Sequence, residues 1–578
     1  MRSRRLLVLL ALLPVWLLPL VGATGASAAG PVSQSLRFTT SDGVSLAATL
    51  TGQSPLTSRP TVVEFSPYGR NSQTLTVGPN YNFLLVQDRG TGDSDGQFDA
   101  MGRRMQQDVQ ETLRWACSQS WSNGALALNG FSASAILAYN AMHEPLPCVK
   151  AAIMKSGTSD LYRDLLVPGG ISNIVPGAGV LALIGAPALE QGADRLQRNP
   201  SSSLDVMRGL FTSGLDAGLL HPTLDAWWRQ RAFRGAAQPI PVLIIDGFFD
   251  VESRGAFQMY QALKGDGAHL MVVGGHDGAP AGTDDGVAEA GRWLDHYLRG
   301  VDNGVQADPR VQMFLSEGDR KAYLAGDFVR RDATDWPVPR TTWASLHLDP
   351  TKSGSAHSLN DGSLSLQPPS RIAVQSYPAV PSLPTSADVP NAAIVDAAGF
   401  DKVTDALPIL SDMRLAESVG LTYTTAPFAR AVDTVGPADL DVPLSSTTPG
   451  GPIWAVLSDV APDGSTHPLT VGRLSTAFPK VDESKSLHDS SGRLVQPYGD
   501  YSVRESAGPL GVRTYHVEFW PIGNRFLAGH RLRLELVGAS AASLPSLPGL
   551  NRVHVGGPDG AVLRLPVLPG SDLAAALR

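Results

Sequence analysis

Between Ser35 and Leu298 the chain alternates short apolar runs with stretches of helical texture. Thr61–Phe65, Phe83–Val86, Leu126–Leu128, Ala151–Met154, Val242–Ile245 and Leu270–Val273 are of strand length and flanked by Gly, Asp or Pro. Runs that are apolar almost throughout mark strands covered on both faces, which predicts a mostly parallel α/β sheet. Between the strands at Ala151 and Val242, the segment Asp160–Arg234 keeps helical texture for longer than a crossover requires, so an inserted helical cap is expected over 160–234. The apolar stretch Ile174–Leu189 inside it is broken by Pro176, Pro187 and glycines, which predicts a buried or lid-lining segment rather than a membrane span.

After Pro309 the texture changes. Pro/Ser/Gly-rich stretches over Asp349–Ser376 and Tyr377–Asn391 separate runs with period-two alternation, among them Pro452–Leu457, Val512–Phe519 and Arg531–Leu536. Asp463-Gly464 and Asp559-Gly560 are turn signals. An all-β, two-sheet sandwich is expected over 308–578.

The length of 578 residues, 43% of them hydrophobic, exceeds one core and excludes a disordered chain. A net charge of −8 with no Lys/Arg run excludes the basic stripe of a nucleic-acid binder. At the N-terminus Arg2, Arg4 and Arg5 precede apolar Leu6–Val21, and Ala26-Ser27-Ala28 supplies an A-x-A site. That pattern predicts a signal peptide over 1–28, export of the mature chain and no stable membrane span after cleavage. Only two cysteines occur, Cys117 and Cys148, and no His/Cys spacing suggests a metal site. A disulfide between them would contribute roughly 3–4 kcal/mol by loop entropy, the alternative being two separate buried thiols.

Chemistry enters at Asn129-Gly130-Phe131-Ser132-Ala133-Ser134-Ala135, which follows the strand at Leu126 and leads into helical Ile136–Met142. A strand–Gly-x-Ser-x-small–helix arrangement is the nucleophile elbow of α/β-hydrolases, where a strained turn demands small residues two before and two after the serine. Gly130 and Ser134 satisfy this for Ser132, whereas bulky Ile136 rules out Ser134 as the nucleophile. The fold needs an acid and then a histidine beyond later strand ends. Asp250 follows the strand Val242–Ile245 and His276 follows Leu270–Val273, in that order. Asp246 is the rival acid, but its place at the strand terminus suits turn capping, and Asp277 reads as a turn residue. His143, His221, His269 and His296 read as structural. The N–H of Ala133 supplies one oxyanion donor and the phenol of Tyr68, in the loop after an early strand, a second, with a packed aromatic as its alternative role.

With these residues in place, the chain resembles the X-Pro dipeptidyl-peptidase / cocaine-esterase-like (acyl esterase) family of serine hydrolases. The resemblance is carried by Ser66-Pro67-Tyr68, Asp88–Gly96, Gln119–Gly124, Asp225–Arg231, Asp246–Asp250, Arg292-Trp293-Leu294 with Asp302-Asn303-Gly304, Asp335-Trp336-Pro337 and Ala528-Gly529-His530-Arg531, in order. It implies an α/β-hydrolase domain over 35–159 and 235–307, a helical cap over 160–234 and a C-terminal jelly roll over 308–578. It also implies a triad of Ser132, Asp250 and His276 with Tyr68 as oxyanion donor. Ala133 and Ala135 depart from the family's usual Tyr and Gly, which should reshape the acyl pocket. The Gly90–Gly96 run opens no helix and reads as a structural loop rather than a dinucleotide fingerprint.

The function expected is a secreted, cofactor-free serine hydrolase acting on a small ester or short peptide. The runner-up is an X-Pro dipeptidyl-peptidase, which needs carboxylates for the substrate ammonium. Glu190 and Asp194 have the i,i+4 spacing to share a helix face, but Arg195 and Arg198 follow at once and make a solvated, charge-balanced helix the better reading. Asp160 and Asp164 read as helix caps. A third reading is a non-catalytic secreted binding protein.

Overall fold

The computed structural model describes residues 30–70, 75–213, 217–274, 286–318, 322, 325–380, 412–508, 510–540 and 543–578. The expected signal peptide, His276 and Asp277 lie outside the described residues. Ten strands form the first sheet: β1 (Pro31–Thr39), β2 (Ser45–Gln53), β3 (Arg59–Ser66), β4 (Asn82–Gln87), β5 (Ser122–Phe131), β6 (Val149–Lys155), β7 (Val242–Asp246), β8 (His269–Val272), β9 (Val311–Glu317) and β10 (Phe328–Ala333). Their spatial order is β1-β2-β4-β3-β5-β6-β7-β8-β9-β10, parallel from β4 to β9 and antiparallel at the β1/β2, β2/β4 and β9/β10 pairings.

Strand alternation divides the core between two faces. Val63, Leu84, Leu128, Ala152, Ile244 and Leu270 pack with helices α1 (Arg103–Cys117) and α2 (Ala133–Ala141) in one cluster. Their neighbours Val62, Leu85, Ala127, Ile153, Leu243 and Met271 pack on Trp293 and Leu294 in a second. Burial on both sides is why these strands read as unbroken apolar runs. Cys117, at the end of α1, is disulfide-bonded to Cys148, just before β6, with the Cα atoms 6.2 Å apart.

A helical insertion separates β6 from β7. It includes α3 (Ala186–Glu190), α4 (Ala193–Arg198) and α5 (Ser202–Ser213). Ile184 and Ala188 in the apolar stretch are buried while Leu183 and Leu189 face solvent. Among the described residues no helix is long and apolar enough to cross a membrane. After β7 come α6 (Ser253–Leu263) and, following β8, α7 (Val287–Arg299).

The C-terminal part is β-rich and antiparallel. Strand Val432–Ser446 pairs with Arg513–Phe526, and Pro452–Val460 pairs with both Thr466–Ser475 and Arg531–Val537. Asp463-Gly464 turns the Pro452–Val460 hairpin, Gly464 taking φ +85°. The strands flanking Asp559-Gly560 pair instead with Ala373–Ala379 and Thr342–Lys352. Beyond residue 308, β9 extends the parallel sheet and then pairs in parallel with Arg513–Phe526 through Ser316 and Glu317. The change of composition after Pro309 is real, but a buried strand such as β9 pairs wherever a sheet edge is open.

Candidate active site

The elbow is dictated by close packing over a few residues. Ser132 sits at φ +54°, ψ −122°, between β5 and α2, its N–H donating to the Lys155 carbonyl at 2.9 Å. A non-glycine residue held there is strained, and the surrounding contacts must over-determine it. They do: a Cβ on Gly130 would lie 2.6 Å from Ala135 Cα and 2.7 Å from its nitrogen. The methyl of Ala135, fully buried, has room because residue 157 is glycine, where a Cβ would come within 2.5 Å of it. The departure from a glycine at 135 is thus accommodated on the neighbouring loop.

The donors expected for an oxyanion converge. Tyr68, half-buried in the loop after β3, accepts the Ala133 N–H through its phenol oxygen at 3.1 Å. An oxygen resting against both groups would lie within reach of two donors beside Ser132. Burial holds the Tyr68 phenol well above its usual range; hydrogen bonds from Ser132 and Ala133 oppose this, while the Glu252 and Asp88 carboxylates reinforce it. The group therefore remains an O–H donor at any physiological pH.

Beyond β7 the two rival acids separate by their bonds. Asp246 accepts the Gly247 N–H at 2.7 Å, the turn-capping role expected of it, and burial together with the Asp250 carboxylate pushes it well above the usual carboxylate range. Asp250 is fully buried and accepts the Glu252 N–H at 2.6 Å. Glu252 was not singled out by sequence reasoning. It is buried, and its Oε1 accepts from Ser132 Oγ at 3.5 Å. Nothing in the motif spacing points to it; only its place two residues beyond Asp250 could have drawn attention.

The four histidines read as structural have ordinary partners. His143, His221 and His296 bond nearby backbone or side chains through Nδ1, and His269 is buried edge-on to Trp293 with its pKa lowered by burial. Asp439, Asp441 and His516, in the β-rich part, are grouped closely enough to ligate a cation, but the Arg564 guanidinium already bonds both carboxylates.

Two readings of the insertion change. Glu190 ends α3 and Asp194 lies in α4, so the break at Gln191-Gly192 removes the shared face that i,i+4 spacing suggested. Arg195 is buried rather than solvated, donating to the Gly92 carbonyl at 2.6 Å and the Ala188 carbonyl at 2.7 Å. The Gly92 carbonyl, in a loop, has no ladder partner, and the buried guanidinium satisfies it. The Gly90–Gly96 run is accordingly a structural clasp on the insertion. Asp160 caps as expected, accepting from Tyr162 and Arg163 N–H, whereas Asp164 is fully buried and ion-paired to Arg254.

An α/β-hydrolase-like sheet with a serine on a strained strand–helix turn defines a serine hydrolase, and comparison with known proteins agrees. Residues 42–277 match the X-Pro dipeptidyl-peptidase (S15 family) model, and 303–549 match that of the X-Pro dipeptidyl-peptidase C-terminal non-catalytic domain. The chain belongs to this family of serine hydrolases, which act on ester or peptide bonds. It is 24% identical to the cocaine esterase of Rhodococcus sp., over 81% of this chain and 82% of that one. Among solved structures, an α-amino acid ester hydrolase superposes with TM-score 0.71 at 17% identity, covering 95% of this chain and 98% of that one. An aminopeptidase from a marine-sediment Thaumarchaeota archaeon superposes with TM-score 0.72 at 17% identity, covering 96% and 99%. At such identities the structural likeness speaks for the fold.

Proposed function

We propose that this protein is a secreted hydrolase of uncharged acyl esters that works through an acyl-enzyme on Ser132. The observation carrying this reading is the elbow, with Ser132 at φ +54° and the Ala133 N–H and Tyr68 phenol 3.1 Å apart beside it. His276 takes the Ser132 proton as Oγ attacks the carbonyl, and Asp250 holds the imidazole and stabilises its cation. Tyr68 and Ala133 bind the oxyanion; the proton passes to the leaving alcohol, and water releases the acyl group by the reverse sequence. In this reading the insertion over 160–234 caps the site and the C-terminal part is a jelly roll. Export is supported by the Arg2–Ala29 pattern and by the Cys117–Cys148 bridge, which belongs to an oxidising compartment.

Ester preference over the X-Pro dipeptidyl-peptidase alternative is supported by the helix break at Gln191-Gly192, which falls between Glu190 and Asp194. A fluorophosphonate probe should label Ser132 in the parent and not in Ser132→Ala; an unlabelled parent would make the chain a binding protein. Butyrate esters should then be turned over with higher kcat/KM than Xaa-Pro anilides. Should an anilide win, and Glu190→Gln selectively raise its KM, the exopeptidase reading replaces this one.

A further inference from the structure

We infer that the C-terminal β-rich part takes part in catalysis by positioning the acid loop, through an ion-pair chain Glu518–Arg254–Asp164. Arg254 stands in the first turn of α6, four residues after Asp250 and two after Glu252. It is buried, at 3% exposure, where an unpaired guanidinium would be very costly. Its Nε donates to Glu518 on the strand Arg513–Phe526 at 2.9 Å, and its Nη1 to Asp164 at the start of the insertion at 2.5 Å.

Both partners are themselves held. Asp164 also accepts from Ser159 Oγ at 3.0 Å, from the Asp160 N–H at 3.1 Å and from the Thr158 hydroxyl. Glu518 accepts from Gln496 at 2.9 Å. The ring of Tyr498 lies 4.3 Å from the Arg163 guanidinium and 5.9 Å from that of Arg254, and Arg163 pairs with Asp160 and donates to the Gly499 carbonyl. One residue on, a Cβ on Gly255 would come within 2.4 Å of Thr158 Cα, so the helix start abuts the loop after β6 without slack. The acid loop is therefore pinned from three parts of the chain; the β-rich part meets it with ring contacts, Phe249 on His467 and Phe248 against Gly523, and with one ion pair, from Glu518. Charges buried this way add little net stability, but they fix geometry because breaking one leaves its partner unsatisfied.

Arg254 and Glu518 are positioning residues in this scheme, which rests on Asp250 being the triad acid. The readout is the rate at which a fluorophosphonate labels Ser132 in the full-length protein, with kcat and KM for a butyrate ester beside it. Arg254→Ala would strand the buried Asp164 carboxylate and the partly buried Glu518 carboxylate and is expected to unfold, so Glu518→Gln is the test. A displacement of the loop by about 1 Å should slow labelling and kcat roughly tenfold to a hundredfold with KM little changed. In an Asp250→Asn background the same substitution should have no further effect, because the two act as a unit. Arg331→Gln, which breaks the Arg331–Asp433 pair between β10 and Val432–Ser446 away from the acid loop, should leave labelling within about twofold. If Glu518→Gln does not fold, Glu518→Asp, which withdraws the carboxylate by one methylene, is read in the same way. A lower melting temperature with labelling as fast as in Arg331→Gln would overturn the inference, as would equal slowing with and without Asp250. Parental labelling in Asp250→Asn alone would instead overturn the triad reading beneath it.

Discussion

The turn that carries Ser132 and the loop that carries Asp250 follow β5 and β7, with only β6 between them, yet they are built by different physics. The Ser132 turn is steric and local: Gly130, Ser132 and Ala135 lie within six residues, and the tolerances are close contacts between neighbouring backbones. The Asp250 loop is electrostatic and assembled from afar. Its anchors, Asp164 and Glu518, come from the insertion and from the β-rich part, and one of them is separated from Arg254 by 264 positions in the chain. A steric turn of this kind is rigid once its strand, its helix and the adjoining end of β6 are in place. A polar anchor exists only once three parts of the molecule are in place.

The largest effects are expected at the reacting groups. Ser132→Ala should lower kcat by roughly 10⁶, and Asp250→Asn by about 10⁴, measured on a butyrate ester with the parent alongside. Equal losses in Asp246→Asn and Asp250→Asn would reverse the choice of acid. Next comes the oxyanion pair. Tyr68→Phe removes a donor and almost no volume, so kcat should fall about 10²–10³-fold at an unchanged melting temperature. Surviving activity with a lowered melting temperature would make Tyr68 a packing residue.

The steric character of the elbow can be sharpened by exchanging two side chains. Gly157→Ala drives a methyl into that of Ala135 and should cost roughly 1–3 kcal/mol in denaturant unfolding. Adding Ala135→Gly should recover most of that loss, since the exchange moves one methyl across a shared contact. Full additivity of the two changes would show that the contact does not govern the turn.

The smallest effect concerns Asp246. Burial and the neighbouring Asp250 carboxylate raise its pKa well above the usual value, so the folded state keeps a proton that the unfolded chain releases above a pH of about 4. Stability contributed at that position is present below pH ~4 and falls as pH rises through the window up to the raised folded-state value. Asp246→Asn keeps an acceptor for the Gly247 N–H and removes this slope. Its melting temperature should match the parent's near pH 4 and exceed it near pH 7, with activity little changed. Parallel pH profiles would mean that Asp246 is ionised in the fold.

What the amino-acid sequence determined by itself was whatever depends on neighbours along the chain. Apolar runs without alternation marked β3 to β8 as strands covered on both faces, and the spacing from Gly130 to Ser134 marked the strained turn at Ser132, because both patterns are complete within a dozen residues. The positions of Tyr68 just after β3 and of Asp250 just beyond β7 were legible too. Tertiary structure alone decided the partners of charges. Arg195 read as solvated and is buried on the carbonyls of the Gly90–Gly96 loop; Asp164 read as a cap and is the buried counter-ion of Arg254. Glu252 belonged to no motif, since its contact with Ser132 spans 120 positions. Tertiary structure also broke the helix presumed to join Glu190 to Asp194 and placed β9 in the sheet beyond the expected boundary. A side chain's size and polarity are local properties, but a charge takes its role from the group that neutralises it, and folding brings that group from anywhere in the chain.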